Sequence, residues 1–388
     1  MNNRLKKSNI LLALSSSALA IPMAAKATEA PTSVEVGYMV SSYQEDAIDA
    51  AKNITGNAQD RYDITVSQFN LLIPIGSSQS LNLSYIQDAM SGASPWDIVD
   101  SNGENKVIMS GASIKEERKD LRIGYSFYES NRITGFNLAR SVENDYESIA
   151  IGSSMEISTN QKNTVYAFSA SASFDDIFPT QGIFLNTLDG TLEDSKTTYS
   201  VSGNISQVIN RKNIMQAGIS INQHSGYLSD PYKSNDKRPD SRLQTAAIIR
   251  MRSFIDSWDA ALHSGYRFYS DDWGVRSDTF DLSLYKNLSN NYQIVPGIRY
   301  YTQDGASFYK QNSSNAVNEA FISTDYRLSY YGAVSVSFKL VKKFTDLTLF
   351  GTVERYQSAA SLALGAPASE NPALVDFTRV SFGFEYKF

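Results

Sequence analysis

Arginines and carboxylates hold most of the chemistry in this sequence. Arg267, Arg299, Arg327 and Arg379 recur through its C-terminal third, together with Asp325 and Glu354. Each sits in text where apolar and polar residues alternate, so each projects to the polar side of a strand. Arg250, Arg252, His263, Tyr269, Tyr301, Tyr331 and Tyr356 fall in the same phase. A ring of guanidinium groups inside a channel selects anionic or polar solutes. The same groups paired with carboxylates would instead form a salt-bridge network that pins inward-folded loops. Asp88, Asp97, Asp100, Asp271, Asp272 and Asp304 are the loop carboxylates left for that second use. Both readings stand at this level.

Other chemistry is sparse. Covalent or acid–base catalysis needs a nucleophile or activated water, a base and a group to orient it. The chain has two histidines, His224 and His263, and no cysteine. Neither histidine lies in a GxSxG or HExxH context, and no enzyme is expected. Ser270–Asp272 ("SDD"), with Asp304 and Glu45, is the one carboxylate grouping with metal-binding character, and it lacks calcium-loop spacing. Acidic rim loops are solvated, or bridged through divalent cations to lipopolysaccharide. No resident metal and no cofactor are expected.

The elements that must position these residues are strands. The last nine residues, "VSFGFEYKF", place Val380, Phe382, Phe384, Tyr386 and Phe388 on one face, with Ser381, Gly383, Glu385 and Lys387 on the other. Such order at a terminus means that the terminus is pinned. The same alternation recurs over 34–43, 62–75, 81–87, 121–128, 133–141, 148–158, 164–174, 198–208, 215–224, 243–254, 258–270, 279–285, 293–303, 322–340, 347–356 and 374–388. A bulge is expected near Gln68–Phe69, where the pattern slips. Short connections rich in Asn, Ser and Lys ("ESNR", "TNQKN", "NRKN", "LSNN") alternate with long polar ones at 44–60, 88–117, 175–196, 225–241, 304–321 and 357–373. The expected fold is all-β: a transmembrane antiparallel β-barrel of about 16 strands, with short periplasmic turns and long extracellular loops. The 23 Tyr and 19 Phe suit its two interfacial girdles.

Residues 1–27 read as a secretory signal peptide: a basic start (Arg4, Lys6, Lys7), an apolar stretch over 10–25, and Ala25-Lys26-Ala27 at the cut, with Ala20 as the alternative. Residues 28–388 are then the barrel. Loss of the leader moves the formal charge from −6 to about −10, which excludes nucleic acid as a natural partner. No other run approaches the ~18 apolar residues of a membrane helix. Without disulfides, closure of the sheet is what holds an exported chain of this size together.

The terminal strand ending in Phe388 resembles the C-terminal signal of bacterial outer-membrane proteins, which implies recognition by the barrel assembly machinery. Three further stretches carry a family resemblance. They are "DAMSGASPW" (Asp88, Ser91, Gly92 and Pro95), "GYLSDPYK" (Asp230 and Pro231) and "YRFYSDDWGVRSDT" (Asp271, Asp272 and Trp273), the last echoed by "IRYYTQDGASFY". With "SSYQE" and "STDYRLS" they resemble a family of uncharacterised Gram-negative outer-membrane β-barrel proteins, a domain of unknown function, over essentially the whole mature chain. The resemblance implies outer-membrane lipid and lipopolysaccharide as surroundings. It also implies a periplasmic thioredoxin-like or flavin-transferase-linked system as a partner, although no residue here shows that link. The expected function is an outer-membrane channel or transporter for small polar or anionic solutes. The alternative is a loop-plugged barrel serving as a surface-binding or envelope-assembly partner, redox or metal linked, rather than a pore.

Overall fold

Strand alternation creates a sheet with one apolar and one polar face, and such a sheet can close on itself and bury its edges. The computed structural model describes residues 29–388 apart from 55–58, 111–113, 180–192, 234, 315–318 and 366–368. The leader read over 1–27 lies outside the described residues. The strands are β1 Glu35–Glu45, β2 Asp63–Ile75, β3 Gln79–Gly92, β4 Pro95–Ser101, β5 Glu104–Met109, β6 Ile114–Tyr128, β7 Arg132–Val142, β8 Tyr146–Thr159 and β9 Thr164–Ile177. They continue as β10 Asp194–Asn210, β11 Asn213–Gly226, β12 Ser241–Ile255, β13 Ala260–Asp271, β14 Arg276–Asn287, β15 Tyr292–Gln303, β16 Tyr331–Lys343, β17 Leu347–Ala359 and β18 Phe377–Lys387. β4 and β5 form a separate hairpin, and the other sixteen close into one antiparallel barrel.

The chain's last strand closes the barrel against its first. β18 pairs with β1 without interruption from Glu35↔Lys387 to Glu45↔Phe377. The terminus is pinned because β18 is paired along its length with β1 on one side and with β17 on the other. Outside the barrel, Ile151, Phe168, Val201, Ile219, Val336 and Phe382 stand exposed. An apolar outer belt of this kind suits lipid. No helix among the described residues is long and apolar enough to cross a membrane, so any crossing is made by strands. A closed barrel of this type resists detergent until boiled. The folded protein is expected to run faster than the boiled one on a detergent gel, and equal mobility would contradict a closed sheet.

Three local expectations need correction. The segment 322–340 is not one strand. β16 begins at Tyr331, and Tyr326–Leu328 form a single 3-10 turn whose N-cap, Asp325, accepts from Arg327 N. Asp325 and Arg327 are therefore loop residues. Gln68–Phe69 carries no bulge, because β2 stays in unbroken register with β1 and β3. The apolar phase changes there because Ile64 and Val66 face inward, into a packed cluster with Tyr43, Tyr62, Met90 and Phe377. Finally, 88–117 is largely structured: Asp88, Ser91 and Gly92 belong to β3, and Pro95 opens the hairpin.

Candidate functional site

The lumen wall follows from register. On the inner faces of β8, β9 and β10 stand hydroxyls: Ser148 lies against Ser173 at 3.1 Å and Ser169 against Ser202 at 2.8 Å. On the far side of β11, β12 and β13 put Arg250, Arg252 and Arg267 on the inner face. Among the described residues these three have no ion-pair partner, and Arg267 lies 5.3 Å over the Tyr269 ring.

The six residues expected to form one patch are separated by the structure. Arg299 Nε donates to Asp281 Oδ1 across β14–β15 at 2.5 Å. Arg379 Nη2 donates to Glu354 Oε2 across β17–β18 at 2.5 Å, and Ser335 adds a second donor to that carboxylate. Arg267 stands apart on β13. Asp325 and Arg327 belong to neither wall, and lie in a cap of loops packed into the long-loop mouth of the barrel.

The cap is built from the described residues 46–54, 59–62, 93–110, 227–233, 235–240, 272–275, 304–314, 319–330, 360–365 and 369–376, and has its own core. Ile48, Ala93, Ile98, Val107, Met109 and Ala373 form one cluster, and Trp273, Val275, Ala306, Phe308 and Leu328 form another. Its ion network centres on Asp325, which is fully buried and accepts from Arg327 and from Arg238 Nη2 at 2.9 Å. Arg238 also pairs with Asp236 at 2.8 Å, and Arg327 with Asp230 at 3.2 Å. Burial alone would raise the Asp325 carboxyl, but Arg327, Lys233 and Arg238 hold it well below the usual carboxylate range. At the seam, Arg61 Nε donates to Glu45 Oε2 at 2.7 Å and Arg61 Nη1 to Ala373 O at 3.0 Å, with both side chains buried.

The sequence motifs turn out to be cap joints. Asp88 pairs with Arg118, both buried. Gly92 has φ +123, and a Cβ on it would fall 2.2 Å from Arg61 O, so only glycine lets β3 pass the Arg61 backbone. Ser91 pairs with Asp63 at the top of β2. In "SDPYK", Asp230 Oδ1 accepts from Tyr232 N at 3.0 Å across Pro231, and Lys233 Nζ donates to Pro95 O at 2.7 Å. In "SDDWG", Asp271 accepts from Arg242 Nε (2.9 Å), Tyr269 OH (2.7 Å) and Val275 N (2.9 Å). Asp272 accepts from Leu243 N, and Trp273 Nε1 donates to Ser241 O at 2.8 Å. The "SDD" grouping is thus divided: Asp271 belongs to Arg242, and Glu45 to Arg61. Among the described residues no group of three His, Cys, Asp or Glu side chains could hold a metal ion.

Sequence reasoning did not single out Arg61, Arg118, Arg238, Glu143 and Asp145, all central to the cap. Key contacts join separate loops, Arg238 to Asp325 and Asp145 to Tyr232 each across 87 residues, so spacing carried no signal. Arg250 and Arg252 were legible as inward residues, but only the structure separates unpaired from paired arginines.

A family model described as "Protein of unknown function (DUF3570)" matches residues 11–371. No curated protein matches the sequence. Among solved structures, CdiB from Acinetobacter baumannii superposes at TM-score 0.51 with 9% identity, over 92% of this chain and 60% of that one. A bacterial polysaccharide outer membrane secretin gives 0.49 with 9% identity, over 92% and 98%. The siderophore receptor PirA from Pseudomonas aeruginosa gives 0.45 with 13% identity, over 91% and 62%. At such identities the likeness to CdiB speaks for the fold alone, the closed β-barrel described above.

Proposed function

We infer the function from the lumen itself, because the chain belongs to DUF3570, a family described only as a protein of unknown function. The protein is an outer-membrane passage for small anionic solutes, exported by the leader at 1–27 and held shut at its outer mouth by the cap. The observation that carries this reading is the trio Arg250, Arg252 and Arg267 on the inner wall, without an ion-pair partner among the described residues and one strand away from a run of hydroxyls on β10, β9 and β8. Unpaired guanidinium groups in a confined aqueous path raise the local anion concentration and repel cations. Hydroxyls beside them on the wall exchange hydrogen bonds with a passing solute without trapping it. A barrel of sixteen strands encloses enough space for such a path.

Reversal potential in a planar bilayer under a salt gradient tests this. The native protein is expected to favour chloride over potassium. Arg250→Ser, Arg252→Ser and Arg267→Ser together should shift the reversal potential toward cations, with folded yield unchanged. Arg299→Ser should shift it less, because that charge is already balanced by Asp281. Cation preference in the native protein, or no shift in the triple variant, would overturn the reading.

The packed core of the cap supports a second reading, a plugged barrel that binds a partner at the surface. It predicts an intact barrel that stays silent in the bilayer even when the cap is loosened.

A further inference from the structure

The turn 143–145 joins β7 to β8 at the extracellular rim and touches the cap. Asp145 is buried and accepts the hydroxyl of Tyr232, which stands in the cap loop 227–240. Asn144 donates to Glu116 Oε1 from its backbone N (3.2 Å) and from Nδ2 (2.8 Å). Glu143, between them and β7, is 5% exposed. Neither of its carboxyl oxygens has a hydrogen-bond partner among the described residues. Around it stand Asp145 from its own turn, Glu116 and Arg118 from β6, and Asp88 from β3. Arg118 is the single cation of that group, and it is already paired with Asp88.

A buried carboxylate with no donor and three acidic neighbours is an arrangement that ionisation breaks. We propose that the turn 143–145 is a proton-operated latch on the cap. With Glu143 protonated the turn stays seated, and Asp145 holds Tyr232 and the loop 227–240 in the mouth. When Glu143 loses its proton, its charge joins those of Asp145, Glu116 and Asp88 against one guanidinium. The turn then moves toward water and releases Tyr232. This rests on the channel reading, and adds how that channel would be regulated.

The direction with pH follows from proton count. Burial, and then Asp145, push the Glu143 carboxyl from the ordinary 4.5 up to about 8, with Arg118 opposing. In a released, solvated turn it would titrate at the ordinary value. Between these limits the seated state holds one proton more, so each unit of rising pH favours release by up to roughly tenfold. The bias toward release reaches its full size above the upper limit, and acid keeps the cap shut.

Two measurements test the latch separately from the channel. The first is trypsin cleavage in the loop 227–240, at Lys233 or Lys237, for the native protein and Glu143→Gln at each pH. Taking the ratio at one pH cancels the protease's own pH profile. The ratio of native to Glu143→Gln cleavage should rise at least tenfold from about pH 6 to pH 8.5, since the neutral amide cannot ionise. Tyr232→Phe, which lacks the latch hydroxyl, should be cleaved at the high-pH rate throughout. A flat ratio, or Tyr232→Phe protected like the native protein, would overturn the latch. Bilayer conductance across the same pH range is the second measurement. A pH-dependent ratio with a silent bilayer keeps the latch and removes the channel. Steady, pH-independent conductance with a flat ratio keeps the channel and removes the latch.

Discussion

Replacing Asp325 with alanine is expected to unseat the cap while leaving the barrel closed. The carboxylate is fully buried, caps the Tyr326–Leu328 turn, and receives Arg238 and Arg327 together. Its removal leaves two guanidinium groups in a confined space with only Asp236 and Asp230 to balance them. Breaking a buried ion pair from one side costs about 3–5 kcal/mol, because the remaining charge is stranded. The cap core is small, so a loss of that size should free the loops 227–240 and 304–330. The barrel should survive, since none of its backbone ladder passes through Asp325. Proteolysis of the two loops should rise by two orders of magnitude or more, with heat-dependent gel migration retained and, on the channel reading, conductance increased. Loops as resistant as in the native protein would show that the network is incidental to the cap. The same carboxyl sets an acid limit. Because its folded value is depressed, its contribution is present above the ordinary carboxylate range and is lost as pH falls through the lowered value. The latch at Glu143 acts in the opposite sense and at higher pH, so the two are separable by titration.

The second large effect is expected at the seam. Phe382 lies in the middle of β18 and is exposed on the outer face. Its strand is bonded on one side to β17 and on the other to β1, so it completes the circle. Phe382→Arg places a charge near the bilayer midplane, at a cost of roughly 2–4 kcal/mol. The cost falls on the strand that closes the ring. Outer-membrane levels of folded protein should drop several-fold, and removal of Phe388 should act in the same direction. Glu385→Gln, on the lumen face of the same strand, should assemble normally. Normal levels of Phe382→Arg would mean that this face does not meet lipid.

The alternation in the sequence determined the barrel wall by itself. Val380 to Phe388 reads as a two-faced strand without reference to anything else, because successive side chains of a strand must point to opposite sides. That rule is local, and it carried through to the closed sheet and to inward arginines such as Arg267 and Arg299. What fills the lumen was decided only by tertiary structure. Asp325 and Arg327 keep the strand phase of the residues after them, and in the sequence nothing separates them from β16. They leave the sheet because Arg238, 87 residues away, meets Asp325 in the cap. Ile64 and Val66 likewise break the pattern of β2, since the inward side of a strand may face water or a packed loop, and alternation alone does not distinguish the two. Whether an arginine lacks an ion-pair partner among the described residues, as Arg250 does, or is neutralised, as Arg379 is by Glu354, depends on which strands are neighbours and how far each side chain reaches. Pairing across the sheet and through loops is non-local, so its energy leaves no period in the chain.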